Sequence, residues 1–125
     1  MYQLIIFVGN LGKDPEMRFT AEGQAVTSLS VATSRKRTDK SGNKVDETTW
    51  FRVSVWGKQA ESCNEYLHKG SKVLVEGRLT ADPATGGPRT FIRPDGTAGA
   101  SFEVTANTVR FLSAASGTVG DDEGF

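Results

Sequence analysis

One stretch of this chain carries a helical period, and it limits what the rest can build. Between Lys58 and Lys69, Ala60, Cys63, Tyr66 and Leu67 recur at three- and four-residue steps, so a short helix there has one apolar face. Gly70 ends it, with His68 and Lys69 in the last turn, where cations are favoured. His68 therefore reads as a helix-end residue and not as a ligand. The segments on either side have the short apolar runs and alternation of strands. A chain of 125 residues has the length for one domain with a single core.

In chain order, Gln3 to Leu11 reads as a first strand whose run Leu4 to Val8 is too apolar to have a wet face along its length. Another layer or a second subunit would bury it. Gly9 to Pro15 supplies turn residues and fails as a phosphate-binding P-loop, because two residues instead of four separate its glycines and Asp14 follows Lys13. After a short extended piece at Met17 to Thr20, a second strand spans Ala25 to Ser34. It has Ala25, Thr27, Leu29, Val31 and Thr33 on one face and the smaller Val26, Ser28, Ser30 and Ala32 on the other. That second face suits a surface against which something else lies. Arg35 to Glu47 is a charged hairpin with its tip at Ser41, Gly42 and Asn43.

The third strand, Thr48 to Lys58, holds both tryptophans. Alternation puts Phe51, Val53 and Val55 on an apolar face and Trp50, Arg52, Ser54 and Trp56 on the other. The indoles stand about 20 Å apart along the strand at about 3.3 Å per residue, so they are separate platforms with a cation between them. A fourth strand follows from Ser71 to Leu79, either Val73 and Val75 or Leu74 pointing inward, with a bulge or bend at Gly77. Thr80 to Ala100 is a turn-rich excursion carrying Arg89, Phe91 and Arg93 at alternating positions, and loops of this kind are usually functional or mobile. The fifth strand, Ser101 to Phe111, changes parity between Phe102, Val104, Ala106 and Val109, Phe111. A slip near Asn107 accounts for that change.

Net charge is zero, yet it is unevenly spread. Asp121, Asp122 and Glu123 lie in the last five residues, which leaves 15 basic against 12 acidic groups in the rest. Arg35, Lys36, Arg37, Lys40, Lys44, Arg52 and Lys58 outnumber Asp39, Asp46 and Glu47 around the tryptophan strand. One cysteine, Cys63, and one histidine leave no disulfide, metal set or catalytic dyad to build. No cofactor site is visible, the carboxylates are scattered, and the chain is read as a non-enzyme. No apolar run approaches a membrane span and no leader is evident, so the expected setting is soluble and cytoplasmic, without a membrane partner.

Five strands with a short helix between the third and fourth describe an all-β OB-fold barrel, whose ligand face is formed by the middle strands and the loops between strands one and two and four and five. Aromatic platforms beside cations are the chemistry of single-stranded nucleic acid: rings stack on bases of any sequence, and Lys and Arg meet phosphates. The candidate DNA-binding residues are Trp50, Trp56, Arg52, Arg35, Lys36, Arg37, Lys58, Arg89, Phe91 and Arg93.

The motifs also carry a resemblance. Val8-Gly9-Asn10-Leu11-Gly12-Lys13-Asp14-Pro15-Glu16-Met17-Arg18, Ala32-Thr33-Ser34, Thr49 to Val53 with Trp56 to Glu61, and Tyr66 to Val73 through Glu76 to Leu79 are similar to the bacterial single-stranded DNA-binding protein family over roughly residues 2 to 112. The resemblance implies an OB-fold domain over 1–112, a homotetramer wrapped by single-stranded DNA, and work in replication, recombination and repair at the bacterial nucleoid. It places a base-stacking Trp at Trp50 and a stacking aromatic at Trp56. Further stacking tryptophans of the family fall near Arg37 and Ala84, where this chain has none, and Phe91 is the candidate replacement. Phe51 stands where some relatives have a histidine near a subunit contact.

Residues 113–125 read as a short flexible acidic tail. Asp121, Asp122, Glu123 and Phe125 resemble the family's partner-recruiting peptide, with Gly124 where proline is common and a shorter spacer. A different reading is an OB-fold protein-interaction subunit like the dimeric replication-restart accessory proteins, against which the acidic Phe-ended tail argues. A cold-shock-type RNA binder is disfavoured by the lack of its aromatic-rich signatures.

Overall fold

The computed structural model describes residues 1–112. The tail residues Asp121, Asp122, Glu123 and Phe125 lie outside the described residues. The elements run β1 (Ile5–Leu11), β2 (Glu16–Phe19), β3 (Ala25–Thr38), β4 (Lys44–Trp56), α1 (Lys58–Tyr66), β5 (Lys72–Leu79), β6 (Arg89–Ile92) and β7 (Ala98–Phe111). Strands β1, β5, β7, β4 and β3 are hydrogen-bonded in that order, and β3 returns to β1 through Asn10↔Ala32 and Leu11↔Val31. That return closes a five-stranded barrel with one short helix, the OB-fold that the order of elements implies. Neighbours are antiparallel except β4 and β7, which run parallel where Phe51 to Ser54 meet Phe102 to Thr105.

Alternation fills the barrel. Leu29 and Val31 of β3, Val53 and Val55 of β4, Val73 and Val75 of β5 and Val104 of β7 are buried together with Leu11, Cys63 and Leu67. Valine dominates because its branched side chain packs well on a pleated half-buried surface, and each such burial contributes about 1.5 to 3 kcal/mol. Of the two registers open for the fourth strand, the one with Val73 and Val75 inward is adopted.

The helix plugs one end of the barrel. Thr27 is buried, and its hydroxyl donates to the Ala60 carbonyl at 2.7 Å. The expected irregularities at Gly77 and Asn107 are one feature: pairing steps from Glu76↔Thr108 to Gly77↔Ala106, leaving Asn107 as the extra residue of a bulge. A Cβ on Gly77 would sit 2.2 Å from the Thr105 carbonyl oxygen, so only glycine permits the close approach. Gln59 at the start of α1 bridges the bulge, its amide donating to the Asn107 carbonyl and its oxygen accepting from the Val109 amide, both at 2.9 Å. One side chain thus ties the helix to the break in the ladder and satisfies its orphaned backbone groups.

Two expectations about the helix are corrected, and the extended piece and the charged hairpin are given their pairing. The helix ends at Tyr66, because Leu67 is already extended, so His68 and Lys69 lie in the following turn. Tyr66 is 64% exposed, since at about 100° per residue Ala60 and Leu67 fall on one side of Cys63 and Tyr66 on the other. The piece after the first turn is a paired strand, β2, on the edge of β3. The charged segment 35–47 is mostly ladder: β3 and β4 stay paired without a slip from Val26↔Trp56 to Thr38↔Lys44, and only residues 39–43 turn. Asp39 organises that turn by accepting from the amides of Ser41 and Asn43, with Gly42 at positive φ.

Candidate nucleic-acid interface

On the outer face of β4, Trp50, Arg52 and Trp56 stand exposed while Val53 and Val55 of the same strand are buried, as alternation requires. Cross-strand register sets what lies beside them. Trp50 is opposite Ala32, Arg52 opposite Ser30, and Ser54 opposite Ser28, so small residues form the surface between the platforms. Trp56 is opposite Val26, which is itself opposite Arg18 of β2. Val26 is buried although it belongs to the outer face.

The first turn comes under Trp50. Closing β1 onto β3 carries the Gly12 amide to the Ser30 carbonyl at 2.9 Å. A Cβ on Gly12 would then stand 2.5 Å from Cζ3 and 2.6 Å from Cη2 of Trp50. The indole is therefore backed by main chain on one side, at a distance that a Cβ would force it to give up, and it remains 53% exposed. This is the physical use of the second glycine in a segment that fails as a P-loop.

The long excursion supplies the opposite wall. Residues 89–92 form β6, which folds back on β7 with Arg89↔Ser101 and Phe91↔Gly99. A groove of about 420 Å³ is bounded by Trp50, Arg52, Arg89 and Phe91, with Lys13 and Glu103 also on its lining. Arg89 is paired with Glu103 at 3.2 Å, and Ser101 donates to the same carboxylate oxygen at 3.0 Å. Arg93 lies with its guanidinium carbon 5.5 Å from the Phe91 ring centre and donates to the Ala98 carbonyl. Both side chains cross Gly99, where a Cβ would lie 2.7 Å from each. Arg93 thus steadies Phe91 and is not itself on the groove lining.

The charged arm separates its cations. By alternation through an unbroken ladder, Lys36 shares the face of Trp50, whereas Arg35 and Arg37 point to the opposite one. Both arginines grip Glu47: the Arg35 Nε is 2.9 Å from Oε1, and the Arg37 Nε contacts Oε2. Their hydrogen bonds, Arg35's first, hold the Glu47 carboxyl below its ordinary pKa. Lys58 is exposed at the first turn of α1, beyond the end of the tryptophan strand.

The expected residues therefore fall into three groups. Trp50, Arg52, Arg89 and Phe91 meet in one groove. Trp56 and Lys36 lie on the same outer face farther along it, with Lys36 4.0 Å from the Asp46 carboxylate opposite and Lys58 beyond the strand's end, and Arg35, Arg37 and Arg93 have other engagements. Sequence reasoning missed Gly12, Lys13 and Arg18. Arg18 has a legible signal, since it stands three residues after the Asp14-Pro15 turn in a strand whose register puts it beside Val26 and within 3.3 Å of the Ser28 hydroxyl.

This arrangement has relatives. Residues 2–112 match the family model described as the single-strand binding protein family. The chain belongs to that family. It is 43% identical over 108 residues to the single-stranded DNA-binding protein of Xanthomonas campestris pv. campestris, covering 86% of this chain and 59% of that one. With single-stranded DNA-binding protein 1 of Chlorobaculum tepidum it shares 48% over 75 residues, 60% of this chain and 46% of the relative. It thus spans roughly half the length of these curated family members. A crystal structure of the small single-stranded DNA-binding protein from Streptomyces coelicolor superposes with a TM-score of 0.71 at 25% identity, over 90% of this chain and 96% of that one. A deletion mutant of the Thermus aquaticus single-stranded DNA binding protein gives 0.70 at 27%, over 94% and 54%. The Arg37 guanidinium, near the place where the resemblance leads one to expect a stacking tryptophan, is tied to Glu47.

Proposed function

We propose that this chain binds single-stranded DNA without sequence preference and performs no catalysis. The observation that carries this reading is the joining of Trp50, Phe91, Arg52 and Arg89 in one open groove on a face lined by Ser28 and Ser30. Two aromatic surfaces accept base faces, which every sequence offers, at roughly 1 to 3 kcal/mol per stacked base. Arg52 and the Trp-face Lys36 meet phosphates, and binding weakens as salt rises. A duplex hides its base faces within the stack and cannot use the platforms.

The family relation supports the finer roles: coating of single strands in replication, recombination and repair, and assembly as a homotetramer. Exposed Leu4, just before β1, and Ile6 on it, 48% and 51% accessible, give such an assembly an apolar surface to cover. The sequence Asp121-Asp122-Glu123-Gly124-Phe125 suits recruitment of replication and repair proteins.

Competition tests the central reading. With labelled poly-dT bound at moderate salt, unlabelled poly-dT or poly-dC should displace it while duplex DNA should not. Equal displacement by duplex would refute stacking as the source of affinity. Solution mass tests the assembly, a tetramer being expected and a stable dimer or monomer contradicting it.

A further inference from the structure

The arm carries two arginines that the groove does not use, and a carboxylate that occupies both. Arg35 and Glu47 are directly opposite in the β3–β4 ladder, and Arg37 is the next residue along on the same face. Each guanidinium contacts a different oxygen of Glu47 through its Nε. The three groups are substantially exposed, with side-chain accessibilities of 74% for Arg35, 45% for Arg37 and 38% for Glu47. Exposed pairs of this kind are individually weak. A phosphodiester presents the same pair of anionic oxygens to an arginine fork as a carboxylate does. Glu47 therefore stands where a phosphate would, and the hydrogen bonds from Arg35 and Arg37 favour its charged form.

We infer that Glu47 is a built-in competitor for DNA phosphate, and that Arg35 and Arg37 form a contingent phosphate site on the back of the arm, opposite the tryptophan face. The inference rests on the proposed single-strand binding. A strand leaving the Trp50 groove along β4 reaches the arm, whose front presents Lys36 and Lys44 and whose back presents the clamp. With Glu47 in place the trio carries one net positive charge, and a phosphate must displace a ligand already held. Without it, two cations are open to the backbone. Glu47 thus sets how much of the strand's affinity comes from the arm and how steeply that affinity depends on salt.

The test uses the full chain and poly-dT over a range of salt concentrations, comparing the parent with Glu47→Gln, Arg35→Gln/Arg37→Gln and the triple variant. Glu47→Gln should bind about three- to ten-fold tighter, the scale of losing a weak competing ion pair, and its log-affinity against log-salt slope should steepen by about 0.7 for each phosphate gained. The triple variant should lose that gain. Thermal unfolding of each variant, expected to match the parent because the three side chains are exposed, keeps a folding defect from passing as a binding effect. A parent that binds poly-dT while Glu47→Gln keeps the parent's affinity and slope overturns the competitor assignment alone. Weaker binding by Glu47→Gln also overturns it, showing that the carboxylate organises the arginines for DNA. A parent that fails to bind poly-dT overturns this inference together with the function on which it rests.

Discussion

Replacing Gly12 by alanine asks whether the Trp50 platform is set by its backing. The added Cβ would lie 2.5 Å from the indole, against about 3.5 to 4.0 Å for carbon atoms at rest, so the ring must withdraw by about 1 Å. What moves is the far end of a half-exposed side chain and not the barrel wall, and Gly12 is not at positive φ, so strain does not accumulate in the backbone. Stability should change by less than about 1 kcal/mol, as for surface substitutions generally. Binding should suffer more. A displaced ring forfeits much of one base stack, and a loss of about 1.4 kcal/mol is a ten-fold weaker affinity for poly-dT. Fluorescence titration at fixed salt measures the affinity and urea unfolding measures the stability. A double-mutant cycle with Trp50→Ala isolates the cause, because Gly12→Ala should cost nothing further once the indole is gone. Parent-like binding by Gly12→Ala, or the same ten-fold loss in the Trp50→Ala background, would refute the reasoning.

Other perturbations probe other levels. Leu29→Ala removes a fully buried side chain at the barrel centre and should cost about 2 to 5 kcal/mol, read from urea unfolding. Burial pushes the Cys63 thiol up to about 11 from its ordinary 9.0. Its neutral form is the one the fold holds, so this contribution is whole below about pH 9 and is lost as pH rises through 11. Denaturation midpoints should fall across that window in the parent and less in Cys63→Ala, and native Cys63 should resist alkylation at pH 8 until the chain unfolds. Lys36→Gln should weaken binding to all single-stranded sequences alike and flatten the salt slope by about 0.7, the signature of one lost phosphate contact.

Much of this architecture is legible in the sequence because strand alternation is local. Val53 and Val55 against Trp50 and Trp56 divide inside from outside within one strand, and the parity change between Ala106 and Val109 marks the bulge that the register confirms. The helix is legible through Ala60, Cys63 and Leu67, but not its end, since Tyr66 sits at the edge of the apolar stripe and no local signal stops the chain before Leu67. The directions of Arg35 and Arg37 are not legible when the second strand is ended at Ser34. A ladder continued to Thr38 gives them the parity of Leu29 and Val31. Gly12 under Trp50 depends on β1 closing onto β3, a long-range contact that no local pattern announces. The β6 hairpin was obscured by the glycines and prolines around it, so Phe91 could be suspected from its alternation with Arg89 and Arg93 but not placed beside Trp50.

The central claim is that bases stack on the tryptophan face, and the two indoles report on it separately. Trp56→Phe leaves Trp50 as the chain's sole indole, and Trp50→Phe leaves Trp56. Titrated with poly-dT at moderate salt, each single-tryptophan protein should lose emission in step with binding, and Trp50→Ala should bind at least five-fold more weakly than the parent, about 1 kcal/mol or more. Saturable binding with unchanged emission from both indoles, and parent affinity in Trp50→Ala, would contradict the account.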